Sequence, residues 1–392
     1  MNLQLDALMS EASRRAGGLT DFGDEGFLTP AQILLDAMNR EGGLSEGGQQ
    51  IWFERLVEML RNRLVMEHYF QLHPEIEQEE VRGPIVIVGL PRTGTTLLQR
   101  ILGCDPRFHS MLYWETRFPA PMTEPGTAGP NAGPDPRITL AEAETQAMIK
   151  ANPALLSIHP LDAREADEEG MLLEHSFQSF FDCYADIPSY TEWMWNHDQQ
   201  PAYEHLRRML RFIQWQKRLR GEEGREWVLK TPHHLRQIDV LFKAFPNARV
   251  IQTHRDPLQT IPSIASFIYN LWKIHMKQPD PVRAGRQWSA IWARGIRQTM
   301  AFRDAMPADR FLDVRFSDTL HKPLEVVRSI YDYLKISFPE DTRERMQAYL
   351  EAHSREKRPL HEYGLEHYGL SEEQIKTDFA SYRERYILHH GS

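Results

Sequence analysis

The chain has 392 residues, a net charge of −9 with histidine neutral, 41% hydrophobic and 26% charged residues. That length suits one elaborated domain with a large core, and the acidic balance argues against a general nucleic-acid binder, so any anionic ligand must be met by a local cluster. Two cysteines, Cys104 and Cys183, are too few for a secreted disulfide framework and form no CxxC pair.

The N-terminus, MNLQLDALMS, lacks a basic start followed by an apolar core, and no apolar run approaches the roughly 20 residues that span a bilayer, so a cytoplasmic protein is expected. Residues 1–80 hold TPAQILLDAMNR and QQIWFERLVEMLRNRLVMEHYF, with apolar positions three and four apart, and predict an N-terminal helical layer. PIVIVGLPRTGTTLLQRIL (84–102) reads as a buried strand, a glycine-bearing turn and a helix. APMTEPGTAGPNAGPDPR (120–137) predicts a mobile loop. Helical patterns return at about 138–222, an insert within an α/β domain spanning 81–392, where the acidic run AREADEEG reads as a solvated helix start.

Three further strands, REWVLKTP (225–232), ARVIQTHRD (248–256) and RFLDVRF (310–316), alternate with helical stretches. Such alternation predicts an α/β fold in which a parallel sheet, like that of P-loop NTPases, is flanked by helices. The strand ending in Lys230 is expected beside the first.

GLPRTGTT (89–96) has the spacing of a phosphate-binding loop: Gly89 and Gly94 let backbone N–H groups turn inward, and the helix that follows points its positive end at an anion. A nucleoside triphosphatase has lysine after the second glycine to grip β- and γ-phosphates. Thr95 stands there instead, and Asp256 and Asp313 are only loose candidates for a magnesium-binding carboxylate.

PRTGTT after a strand resembles the 5′-phosphosulfate loop of sulfotransferases that use 3′-phosphoadenosine 5′-phosphosulfate (PAPS), nearest to the PRSGTT form of tyrosylprotein sulfotransferases and related bacterial enzymes. The resemblance covers roughly residues 84–335. It implies that Pro91, Arg92, Thr93, Gly94, Thr95 and Thr96 cradle the phosphosulfate, and that Arg255 and Ser263, eight residues apart, bind the 3′-phosphate. By the same resemblance Phe316 takes the place of a tyrosine beside adenine, Lys230 serves the bridging oxygen, Arg92 contacts sulfuryl oxygens, and the product is 3′,5′-ADP with no metal required.

Two candidates remain for the base. WETR supplies Glu115 in an E-T-R segment like that of the tyrosylprotein type, whereas the histidine of the cytosolic type would fall at Pro232, with His233 and His234 displaced by one and two positions. The aromatics Phe177, Phe180, Phe181, Tyr184, Tyr190, Trp193 and Trp195 either pack as core or wall a pocket for a hydrophobic small-molecule or lipid hydroxyl acceptor, with the 120–137 loop as its lid. REKRP (355–359) is a further cationic candidate, and HEYGLEH (361–367) lacks the HExxH spacing of a zinc site. The competing readings are a P-loop kinase or NTPase and a catalytically silent nucleotide-binding scaffold; oligomeric state is left open.

Overall fold

The computed structural model describes residues 2–122, 135–153, 161–222, 224–353 and 364–388. Its centre is a five-stranded sheet of β1 (Ile85–Gly89), β2 (Phe108–Ser110), β3 (Glu226–Lys230), β4 (Arg249–His254) and β5 (Phe311–Arg315). The order is β2-β3-β1-β4-β5 and every pairing is parallel. The α/β class and the β1–β3 neighbourhood follow the sequence reading. Strand β2 is an addition, since three residues are too few to show an alternation.

All five residues of β1 are buried. Val86 and Val88 pack with Trp227, Leu229 and Val250 on one face, while Ile85 and Ile87 pack with Val228, Ile251 and Val314 on the other. Helices cover both faces, which is why a parallel strand can be apolar at every position. Helices Thr95–Leu102 and Pro323–Leu334 close the second face through Leu98, Ile101, Ile330 and Tyr331.

The first face carries the larger core, shared by the N-terminal helices Leu28–Arg40 and Glu46–Leu72, the insert, and helices Pro257–His275 and Pro281–Asp304. Trp52 lies 5.8 Å from the Phe181 ring and 5.3 Å from Tyr184, and the Ser45 amide donates to the His275 carbonyl at 2.9 Å. Among the described residues no helix is long and apolar enough to cross a membrane. Of the 120–137 loop, residues 123–134 lie outside the described residues, as do REKRP and the first three residues of HEYGLEH.

Because the strands are parallel, their C-terminal ends gather along one edge of the sheet, the side on which open α/β sheets bind ligands. The register pairs Ile87 with Lys230, Gly89 with Thr253 and His254 with Arg315. Gly89 is obligatory: an added Cβ would run into the Thr253 hydroxyl and stand 2.7 Å from that of Thr93.

Four buried histidines contribute to the loss of stability in acid. Burial pushes His175 and His275 down to about 3 and His109 to about 4, and drives His233 well below its ordinary value. Each is neutral when folded but gains a proton below about pH 6.5 once unfolded, so the unfolded state binds more protons and stability falls as pH drops from there toward the folded values. Each histidine contributes a slope of up to about 1.4 kcal/mol per pH unit. Urea midpoints are therefore expected to fall steadily from pH 7 to pH 5; a flat profile in that window would show that these imidazoles titrate in the folded protein.

Candidate active site

The loop after β1 reverses direction through two left-handed residues, Arg92 at φ 73° and Gly94 at φ 86°. An L-residue in that region costs about 1–2 kcal/mol. Strain of this kind persists only where neighbours enforce it, and the neighbours are evident. Arg255 Nη1 donates to the Arg92 carbonyl at 2.9 Å, and Arg92 Nε donates to Ser263 Oγ at 3.2 Å. Arg255 also lies 4.2 Å over the Phe316 ring, and a Cβ on Gly94 would stand 3.1 Å from that ring. Arg92, Gly94, Ser263, Arg255 and Phe316, drawn from three stretches of sequence, thus meet at one place.

Thr93 is turned the other way. Its hydroxyl donates to the Leu90 carbonyl at 2.7 Å and shares a hydrogen bond with Thr253 Oγ1 at 2.6 Å, tying the loop to β4. Only its backbone remains for a ligand. Pro91, Thr95 and Thr96 line a deep cavity together with Arg92.

Lys230, at the end of β3, has no exposed surface; its Nζ lies 2.8 Å from Glu168 Oε1 and 4.0 Å from Asp167 Oδ1. Its backbone N–H donates to Glu169 Oε2 at 2.7 Å. Glu168 also accepts from Thr231 Oγ1 at 3.2 Å. This acidic stretch is held by the helix after the phosphate loop, where Gln99 Nε2 donates to the Asp167 carbonyl at 2.9 Å and Arg100 Nε to that of Ala166 at 3.2 Å.

AREADEEG is therefore not a solvated helix start. Asp167 and Glu169 are buried, and Glu168 faces the cavity. The available signal was that the acids run straight into GMLLEHSF, whose apolar residues leave no solvated face for them.

Glu115 requires the opposite correction. Within the helix Tyr113–Arg117, residues four apart share a face and the residue midway points away. Tyr113 and Arg117 line the cavity, while Glu115 turns behind it to Lys217 Nζ at 2.9 Å and Arg220 Nη2 at 2.6 Å, and accepts from the Leu112 amide at 3.1 Å. It caps a helix and neutralises the buried Lys217.

His233 lines the cavity, buried, with neither ring nitrogen hydrogen-bonded. Burial, then the nearby Arg236 and His234, hold it neutral. His234 faces inward, bonded at 2.7 Å to both Glu169 Oε1 and Tyr203 OH.

Of the predicted aromatic wall only Phe180 and Tyr184 reach the cavity. Phe177, Phe181 and Tyr190 are core, Trp193 stacks on His197, and Trp195 packs under Arg236 and Arg294. The opposite wall comes from two helices that sequence reasoning did not assign to it, through Phe267, Leu271, Trp288 and Trp292. Three arginines on the lining are each neutralised by a carboxylate: Arg55 by Glu174, Arg117 by Glu144 and Arg236 by Asp182. The cavity is thus apolar at one end and opens on the phosphate loop at the other.

A model of the sulfotransferase family matches residues 84–340. The chain belongs to the sulfotransferase family. Omega-hydroxy-beta-dihydromenaquinone-9 sulfotransferase Stf3 of Mycobacterium bovis is 25% identical over 288 residues, 69% of this chain and 67% of that protein, and the Stf3 of Mycobacterium tuberculosis gives the same values. The crystal structure of sulfotransferase STF1 from Mycobacterium tuberculosis H37Rv superposes with a TM-score of 0.83 at 29% identity, covering 97% of this chain and 99% of that one. STF9 from Mycobacterium avium gives a TM-score of 0.86 at 25% identity, covering 98% of this chain and 97% of that one. The likeness to these sulfotransferases takes in the N-terminal helices as well as the sheet.

The loose magnesium candidates have other work in this sulfotransferase. Asp256 caps helix Pro257–His275 and pairs with Arg383, and Asp313 pairs with Arg303 and His254. For Glu115, the expectation follows from its partners. Glu115→Gln leaves the buried Lys217 with Glu222 alone, at 3.1 Å, as countercharge and should cost about 1–3 kcal/mol in urea unfolding. Turnover of the folded enzyme should remain near wild type; a loss of a hundredfold or more, the scale of a general base, at unchanged stability would restore Glu115 to the chemistry.

Proposed function

We propose that the protein transfers the sulfuryl group of PAPS to a hydroxyl on a hydrophobic acceptor. The observation that carries this reading is the contact of the Arg255 guanidinium with the Arg92 carbonyl, alongside Arg92 to Ser263. Two groups suited to separate phosphates therefore adjoin one loop, which fits a ribose phosphorylated at both 3′ and 5′ positions and gives a triphosphate tail no lysine after Gly94.

In this reading the loop backbone, Thr95, Thr96 and the positive end of helix Thr95–Leu102 hold the 5′-phosphosulfate, and Arg255 and Ser263 hold the 3′-phosphate. Phe316 borders the adenine. The acceptor oxygen attacks sulfur in line as the bond from sulfur to the bridging oxygen breaks, and the electron pair of that bond stays on the departing 5′-phosphate. Arg92 and Lys230 stabilise the charge on the sulfuryl and bridging oxygens.

The hydroxyl proton goes to Glu168. Its carboxylate borders the cavity and already touches Lys230, so a donor phosphate that draws the ammonium away frees the carboxylate oxygen for the acceptor. His233 is the weaker base, since burial and Arg236 press its basicity down. Its unbonded nitrogens suit it to hold the acceptor hydroxyl. The apolar walls, with the menaquinone-derived acceptor in the relatives' name, favour a lipid or prenyl alcohol or a phenol. A kinase reading lacks its magnesium carboxylate, because Asp256 and Asp313 are engaged elsewhere.

The decisive experiment measures binding and transfer together. At about 100 times its dissociation constant, 3′,5′-ADP without magnesium should stabilise the protein by roughly 2.7 kcal/mol, while ATP with magnesium should not. With labelled PAPS and a panel of prenyl alcohols, sterols and phenols, Glu168→Gln should lower kcat by about 10²–10⁴ while 3′,5′-ADP still binds. Stabilisation by ATP with magnesium alone would overturn the assignment.

A further inference from the structure

The segment 380–388 grips the end of β4, residue by residue. Tyr382 OH lies 3.0 Å from His254 Nδ1, on the residue just before Arg255. Tyr386 stacks on the His254 ring with centroids 4.2 Å apart and planes 11° from parallel. Arg383 makes a two-point pair with Asp256, Nε to Oδ1 at 3.0 Å and Nη2 to Oδ2 at 3.1 Å. On the far side, His254 Nε2 meets Asp313 Oδ1 at 2.8 Å, and Asp313 is itself held by Arg303 at 2.7 Å.

Asp256 is also the cap of helix Pro257–His275, accepting from the Leu258 amide at 3.0 Å, and that helix carries Ser263. One carboxylate therefore sits between the backbone that aims Arg255 and the helix start that places Ser263. A two-point guanidinium contact fixes both the position and the orientation of such a carboxylate, which a single hydrogen bond does not.

We infer that Arg383 and Tyr382 are positioning residues for the 3′-phosphate subsite, so that the 380–388 segment sets how strongly the enzyme prefers a 3′-phosphorylated nucleotide. Neither side chain is required to touch the ligand. The segment begins forty residues beyond the family match, which ends at residue 340. This inference rests on the PAPS reading of Arg255 and Ser263.

The test is calorimetric titration of the full chain with 3′,5′-ADP and, separately, with 5′-AMP, which lacks the 3′-phosphate. Wild type should prefer 3′,5′-ADP strongly. Arg383→Ala should cut that preference by about tenfold, Arg383→Lys by less, and Tyr382→Phe by a few-fold, with 5′-AMP affinity changed by less than about twofold. A merely structural role would lower the thermal midpoint and weaken both nucleotides together, leaving their ratio untouched.

An unchanged ratio in Arg383→Lys and Tyr382→Phe, the variants least disturbing to folding, overturns the inference while the PAPS reading stands. A wild type that binds both nucleotides equally overturns the PAPS reading itself, and this inference with it.

Discussion

A lysine with no exposed surface, standing at the end of a central strand, needs carboxylates around it, because an ammonium moved from water into a protein interior loses several kcal/mol of solvation. Lys230 finds them in Asp167 and Glu168, while Glu169 takes the backbone N–H of the same residue. Much of the site follows from that one requirement. To supply the acids, the insert must reach the end of β3, and it is held there by Gln99 and Arg100 from the helix that follows the phosphate loop. The loop, the lysine and the candidate base are thereby parts of one assembly.

The loop has its own constraint on the other side. Gly89 lies so close to Thr253 that no side chain fits, and the paired hydroxyls of Thr93 and Thr253 hold the turn against β4. With β4 that close, Arg255 at its end reaches the Arg92 carbonyl. The left-handed turn at Arg92 is an arginine held in a glycine-like conformation, and holding it there is consistent with a loop shaped in advance for an anion.

Two readings of the sequence differ from the placement in the structure for one cause. Glu115 and the acids at 167–169 are both carboxylates beside aromatic and apolar residues, and composition does not tell which of them faces a cavity. For Glu115 the decision is rotational: on a one-turn helix whose Tyr113 and Arg117 face the cavity, the residue between them cannot. For Asp167, Glu168 and Glu169 it is topological, since their partners are Lys230 and His234, more than sixty residues away in the chain. The acceptor wall was divided in the same manner. Aromatics of the insert were legible as a group, but those on Pro281–Asp304 carry the ordinary spacing of a core helix, and only the packing turns Trp288 and Trp292 toward the cavity.

The sequence by itself determined the parallel α/β sheet and the glycine-bearing turn after β1, because those depend on local properties: continuous apolar runs and glycine spacing. It also named Arg255, Ser263, Phe316 and Lys230 as residues to watch. Tertiary structure alone decided which carboxylate stands by Lys230, that the ring nitrogens of His233 rather than those of His234 stay unbonded, and what holds the end of β4. Each of those is a pairing between segments distant in the chain, set by which side chains must share buried charge once the elements have packed.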